Sequence, residues 1–332
     1  MISLQRRRLV LVIGSILISA SCGNDGGPAA PPQMSSEARA FLEEVTGVMR
    51  VNSVRRLEIN WTDFTAEVLA VAEGAQSISE TYPAIRRALR LLGDNHSSFR
   101  TPEGASLHES TRSCTAATVA SIPSIPGSIG YLQVRSFAGS AAAVEAYAQA
   151  LQDSIRKYHD NNLIGWIVDV RGNGGGNMWP MIAGVGPLLG EGVVGHFINP
   201  EGVQQTWSYE DGEARLDGAT GARAPSTYEV EGGLPRIAVL TDGRVASSGE
   251  AVVIAFKARE NTRSFGSPTC GLSTANRGFA LSHGAALNLT VSTMADRLKR
   301  EYGDAVSPDE VVAGVEEVVK RAISWLEAEH EI

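Results

Sequence analysis

Leu163 to Val170 reads LIGWIVDV, eight residues whose single charge comes next to last. A strand this apolar has no face to offer to water, so it needs cover on both sides. Parallel strands flanked by helices meet that condition. The run ends in RGNGGGNM (Arg171 to Met178), a glycine turn, and a second helical stretch follows it. The same texture recurs on either side. Ile129 to Phe137 (IGYLQVRSF) predicts a strand, and Ala141 to Tyr158 predicts an amphipathic helix with Val144, Tyr147, Ala148, Leu151 and Ile155 on one face. Arg236 to Leu240 (RIAVL) predicts another buried strand, and Glu250 to Arg259 (EAVVIAFKAR) has apolar residues at helical spacing. Strand and helix alternating three times argue for βαβ units and an α/β layer.

The flanks differ. From Ser36 to Leu92 three segments place apolar residues three and four apart, which predicts a small helical layer, with Asp63 as the N-cap of its second helix. Phe279 to Ser292 predicts a hairpin turning at His283-Gly284. Ser307 to Glu310 (SPDE) is a capping box with proline at the first helical position, predicting a terminal helix that runs through Trp325. Gly202 to Gly233 is polar and glycine-rich and yields no clear element. The organisation expected is a helical subdomain over 37–92 and a core over 93–330.

The first 22 residues carry three arginines, an apolar run from Leu9 to Ile18, and small residues ending at Cys22, the layout of a secretory signal. The run is short for a bilayer span, which makes a retained transmembrane anchor the weaker reading. Ser19, Ala20 and Ser21 before Cys22 resemble a bacterial lipoprotein box, although Ser19 stands where such boxes carry Leu or Val. Lipidation of Cys22 and a cell-envelope or periplasmic location are the expectations, with 23–36 as a flexible tether and lipid as the sole membrane attachment. A net charge of −8 argues against nucleic acid as a partner. Cys114 and Cys270 remain, either paired in an oxidising compartment or as two buried thiols.

Three constellations carry possible chemistry. The glycine cluster lets the backbone adopt positive φ and present N–H groups outward, which suits a phosphate, a developing oxyanion, or a plain tight turn. The dinucleotide fingerprint fails because Asn177 stands where its third glycine belongs, and no Lys-Ser/Thr pair follows to make a phosphate loop. His96, in GDNHSSF, alone of the 6 histidines lies among small polar residues between a helix end and an aromatic. It reads as structural or catalytic. No histidine pair has metal-ligand spacing, so no metal is expected. Ser247 and Ser248, in RVASSGE, lie at a strand-to-helix joint. They read as helix caps, or one is a nucleophile with a helix N-terminus behind it. This is not the GxSxG elbow, because Val245 replaces its first glycine.

In their order, GDNHSSF, IGYLQVRSF, WIVDVRGNGGG, AVLTDGRVASSGEAVVIAF, GSPTCG and VSPDEVV resemble the tail-specific (C-terminal processing) and tricorn-type serine peptidases, over roughly Leu91 to Val312. The resemblance implies a ClpP/crotonase-like core, no cofactor, and peptides or unfolded proteins as substrates. It implies Ser247 as nucleophile, with an oxyanion hole made by the N–H of Ser248 and one from Gly175 or Gly176. In the processing branch a lysine follows GxPTxG, but here Leu272 follows Gly266 to Gly271. The resemblance then passes the role of base to His96, as in the tricorn-type branch. That branch holds its imidazole with a serine and a glutamate. Asn95 precedes His96 here, Glu301 lies near the place of the glutamate with its spacing off by one, and Asp94 is another possible orienter. The 100–128 stretch is too short for the PDZ domain that many relatives carry. The rival expectation is a non-catalytic peptide or small-ligand binding protein on the same fold, and hydrolysis of a non-peptide ester or amide would use the same residues.

Overall fold

A computed structural model describes residues 33–115, 124–158, 163–230 and 233–328. The signal segment, Cys22 and all but the last residues of the tether lie outside the described residues.

Three helices come first: α1 (Ser36–Asn52), α2 (Trp61–Val71) and α3 (Tyr82–Leu92). The N-cap of α2 is Asn60 rather than Asp63. The Asn60 amide oxygen accepts from the Thr62 N–H at 3.1 Å, while its Nδ2 donates to the Asp63 carboxylate at 2.6 Å, so Asp63 is drawn into the first turn. Gly93 ends α3 in the left-handed conformation at φ 65°, and a side chain there would meet the Arg55 guanidinium.

Two short strands, β1 (Ser98–Arg100) and β2 (Ser106–His108), lead to the alternating part of the chain. It runs β3 (Ile129–Gln133), α4 (Ala141–Arg156), β4 (Gly165–Asp169) and α5 (Met178–Leu189). The strands β5 (Gly192–Ile198), β6 (Gln204–Glu210), β7 (Glu213–Leu216) and β8 (Ala219–Arg223) follow. Then come β9 (Ile237–Thr241), α6 (Ser248–Phe256) and β10 (Thr262–Gly266). The chain closes with β11 (Thr274–Ala280), β12 (Ala286–Ala295), β13 (Glu310–Val311) and α7 (Val315–Ala328).

The 5-stranded sheet has the order β13-β10-β9-β4-β3, and every pair in it is parallel. Side chains alternate between its faces as strand geometry requires. Val168 of β4 and Ile237 and Val239 of β9 point to α4, α5 and α6, whereas Ile167, Ala238 and Leu240 point to Val318, Val319, Ala322 and Leu326 of α7. Both faces are therefore covered, as the LIGWIVDV run demands, and all of β4 and β9 is buried. The strand and helix predicted over Ile129 to Tyr158 appear as β3 and α4.

The second sheet has 8 strands in the order β2-β1-β12-β5-β6-β7-β8, with β11 paired antiparallel to β12. The glycine-rich stretch without a predicted element is thus a meander. Its Trp207, Tyr209, Ala214 and Ala222 lie against the helices of the parallel sheet in one core. At the other end Phe99, Leu107, Leu287 and Leu289 pack on α1 and α3 in a separate core. β12 contributes to both. The predicted hairpin at His283-Gly284 is present, with His283 at φ 58°.

The terminal helix begins at Val315, not at the SPDE box. Asp309 has better partners than a helix N-terminus. Its carboxylate accepts from the Ser264 N–H at 2.8 Å and the Ser264 hydroxyl at 2.7 Å, and pairs with Lys257 at 2.7 Å. These bonds lay Glu310 and Val311 alongside β10 as an edge strand.

Candidate active site

β4 and β9 are neighbours, so the turns after them emerge side by side at the carboxyl edge of the sheet, where ligands of parallel α/β folds bind. Asp242 Oδ1 accepts from the Arg244 N–H at 2.9 Å and the Gly172 N–H at 3.1 Å, joining one turn to the other. Asn173 does the same from the opposite side. Its main-chain oxygen accepts from the Ala246 N–H at 3.0 Å, and its Oδ1 accepts from the Gly175 N–H at 2.9 Å. Asn173 is 1% exposed and its Nδ2 donates to Val134 O at 3.1 Å, so the buried amide has its partners.

Ser247 sits where these turns meet, immediately before α6. Its φ of 52° and ψ of −117° are strained for a residue with a side chain, at a typical cost of about 1–3 kcal/mol. Three contacts over-determine it. Its N–H donates to Glu250 Oε2 at 2.8 Å, and its carbonyl accepts from the Ala251 N–H at 3.0 Å. Gly175, at φ 102°, lies so close that a β-carbon there would stand 3.0 Å from Ser247 Cβ and 3.1 Å from Ser248 N. Only glycine allows that approach.

Glu250, fully buried, receives four donors. They are the Ser247 and Leu272 N–H groups at 2.8 Å, the Gly271 N–H at 2.8 Å, and the Thr269 hydroxyl at 2.5 Å. Burial pushes its pKa up while those donors pull against it. The carboxylate thereby binds the GSPTCGL segment to the serine. Cys270 of that segment forms a disulfide with Cys114, with Cα atoms 5.0 Å apart, which decides between the two readings of these cysteines.

His96 reaches the same segment from the helical layer. Asp94 caps the turn beyond α3, its Oδ1 accepting from the His96 N–H at 2.9 Å and the Ser97 N–H at 2.8 Å. Asp94 thus holds the backbone of the turn and not the imidazole. Asn95, at φ 61°, turns its side chain away to accept from Thr111. The imidazole Nδ1 is hydrogen-bonded to Thr274 Oγ1 at 2.8 Å, and the His96 carbonyl accepts from Asn276 Nδ2 at 3.0 Å. Burial lowers the His96 pKa below its ordinary value, against the opposing charge of Asp94.

Hydrogen bonds therefore lead from Ser247 through Glu250 to Leu272, whose carbonyl accepts from the Thr274 N–H at 2.8 Å, and so to His96. The described residues contain no direct hydrogen bond between Ser247 and His96. Glu301 is exposed and makes no hydrogen bond to the imidazole; it lines a cavity of about 420 Å³ together with Asp94, Asn95, Gly271 and Thr274. Lys257 is at the far end of α6 and spends its ammonium on Ser264 and Asp309, so it supplies no base here. Of the two glycines, Gly175 has its N–H committed to Asn173, while the Gly176 N–H has no acceptor among the described residues. Thr274, Glu250 and Asn173 were not anticipated, and only Glu250 had a nearby signal, as the residue three beyond Ser247.

The arrangement sets a hydroxyl in a constrained loop at a helix N-terminus, with a glycine turn against it, and links that loop through Glu250 and Leu272 to the segment whose Thr274 holds the His96 imidazole. The described residues contain no group of His, Cys, Asp and Glu able to hold a metal ion. The family model described as peptidase family S41 matches residues 128–312. The nisin-resistance protein of Lactococcus lactis subsp. lactis is 27% identical over 270 residues, covering 81% of this chain and 80% of that protein. Among solved structures, a lipoprotein from Streptococcus agalactiae superposes with a TM-score of 0.68 at 22% identity, covering 89% of this chain and 98% of the other. The photosystem II D1 C-terminal processing protease superposes at 0.57 with 15% identity, covering 86% and 97%.

Proposed function

The chain belongs to peptidase family S41, and from that premise we propose that it is an exported serine peptidase that cleaves peptides or unfolded proteins through an acyl-enzyme on Ser247. The observation that carries this reading is the strained serine, held at positive φ between the N-terminus of α6 and Gly175. His96 Nε2 takes the proton from Ser247 Oγ as the oxygen attacks the scissile carbonyl. The oxyanion forms against the N–H groups of Ser248 and Gly176. As the intermediate collapses, the C–N bond breaks and His96 returns the proton to the leaving amine. A water, deprotonated by the same imidazole, then attacks the acyl-enzyme; the ester C–O bond breaks and the imidazolium returns its proton to Ser247 Oγ.

Export is supported by the sequence of the first 22 residues and by the Cys114–Cys270 disulfide, a bond favoured in oxidising compartments. No helix among the described residues is long and apolar enough to cross a membrane. Attachment through a lipid on Cys22 completes the proposal, and the solved lipoprotein of the same fold accords with it. A fluorophosphonate probe on the purified protein, followed by peptide mapping, tests the central claim. Label on Ser247 together with cleavage of a peptide library supports it. A chain that stays unlabelled and binds peptides without cutting them is a binding protein instead.

The lowered pKa of His96 has a kinetic consequence. The base must be neutral to accept a proton, so activity is lost as pH falls through the pKa of His96, and burial places that below the ordinary 6.5. The acid limb of kcat/KM is expected below pH 6.5. A limb above the ordinary value would show that another group acts.

Thr274 holds Nδ1, which leaves Nε2 for the serine. A hydroxyl stabilises an imidazolium less than a carboxylate would. Thr274→Val is therefore expected to lower kcat about tenfold with little change in KM, the worth of one neutral hydrogen bond. Steady-state kinetics on one good peptide checks it. An unaltered kcat would mean that the imidazole is held by something else.

A further inference from the structure

Ser248 has a hydroxyl that the chemistry above does not use. It is buried and donates to the carbonyl of Gly176 at 2.7 Å, across 72 residues of sequence. The direction of that bond matters. Gly176 forms a parallel bridge with Phe137, in which the Phe137 N–H donates to Gly175 O at 3.3 Å and the Asn177 N–H donates to Phe137 O at 2.8 Å. In a parallel bridge the central residue turns its own N–H and C=O away from the partner strand. Both groups of Gly176 therefore face α6. The carbonyl is taken there by Ser248 Oγ, the Gly176 N–H has no acceptor among the described residues, and the Ser248 N–H is the first of the helix and one of its unpaired donors.

We propose that the Ser248 hydroxyl is a positioning residue for the oxyanion hole: it locks the Gly176 N–H and the Ser248 N–H into one rigid pair of donors. This rests on the reading of Ser247 as nucleophile. The position needs the clamp because Gly176 is at φ 120°, in a region that its own stereochemistry does not fix. On its far side the glycine loop is held by Phe137 and Asn173. On the side facing the serine, Ser248 Oγ is the side chain that holds it. Without that bond the donor is present but free to rotate off the oxygen. An oxyanion donor in place is worth 10²–10³-fold in kcat, and a loosened one forfeits part of that, about tenfold.

The test uses the full chain as Ser248→Ala and Ser248→Thr, the second keeping a hydroxyl, with the best-cleaved library peptide and a peptidyl boronic acid that mimics the tetrahedral intermediate. For Ser248→Ala the expected result is a roughly tenfold lower kcat with KM within twofold. The boronate affinity falls by a similar factor, the acid limb of the pH profile does not move, and Ser248→Thr recovers most of the loss. A general loosening of structure would instead raise KM or lower the thermal midpoint, and either pattern without a matching loss of boronate affinity overturns the proposal. So does a Ser248→Ala enzyme equal to an active wild type, which leaves the peptidase reading standing. A wild type that neither cuts peptide nor takes up fluorophosphonate defeats both.

Discussion

Ser247→Ala is expected to lower kcat by about 10⁴- to 10⁶-fold while leaving peptide affinity close to that of the wild type. The size follows from the division of labour at the site. Without Oγ there is no acyl-enzyme, and His96 has no hydroxyl to activate. The donors at Gly176 and Ser248 remain and still stabilise an oxyanion raised by water, so a residue of activity above background survives. His96→Ala is expected to cost nearly as much, and the double variant little more than either alone, because the two act as one unit. The measurement is single-turnover cleavage of one library peptide by the three variants, with equilibrium binding in parallel. Additive losses, or activity that survives both substitutions, would remove Ser247 and His96 from the mechanism together. Folding should hold in Ser247→Ala, since alanine at φ 52° keeps the backbone bonds to Glu250 and Ala251.

Reduction of the Cys114–Cys270 disulfide is expected to have the largest effect on stability. The bond closes a loop across a separation of 156 residues, and the chain-entropy relation assigns a loop of that length about 5 kcal/mol. Typical measured values are about 2–4 kcal/mol, which for a chain of this size lowers the thermal midpoint by roughly 3–6 °C. Activity is expected to fall as well, for a local reason. Cys270 immediately precedes Gly271 and Leu272, whose N–H groups bind Glu250, and Thr274, which holds His96. Melting curves with and without reductant, beside a Cys114→Ser, Cys270→Ser variant, measure both effects. A midpoint unmoved by reductant would show that the bond contributes nothing to the native state.

What the residues disclose depends on whether the information is local. β4, β9 and α4 are legible because apolar runs and helical spacing encode burial directly, and βαβ alternation leaves few ways to assemble them. The β6–β8 meander is not. Its strands show one face to water, β8 is exposed except at Ala222, and pairing between neighbours rather than composition makes it a sheet. The start of α7 is misread for a related reason: a good capping box at Ser307 to Glu310 is overridden by Lys257 and Ser264, some 45–52 residues earlier in the chain. At the site, Ser247 and His96 stand out by motif and position. Thr274 lies 178 residues from His96 and carries no local mark of what it touches. Asp94 and Glu301 look like orienters in sequence because carboxylates usually are. One is spent on the backbone and the other faces solvent.

Two of the cores among the described residues divide the proposed machinery between them. Ser247 and the glycine loop belong to the parallel sheet and its helices. His96 hangs from the joint between α3 and β1, in the layer whose core is formed with α1 and α3. β12 joins these layers, since Met294 packs in one and Leu287 and Leu289 in the other. The turn that carries His96 is also tied to the sheet, through Thr274 and through the Asn276 amide that donates to the His96 carbonyl. Substitutions in the core beneath α1 and α3 therefore reach the proposed base only through the joint between α3 and β1, whereas those near Thr274 and Asn276 reach it directly.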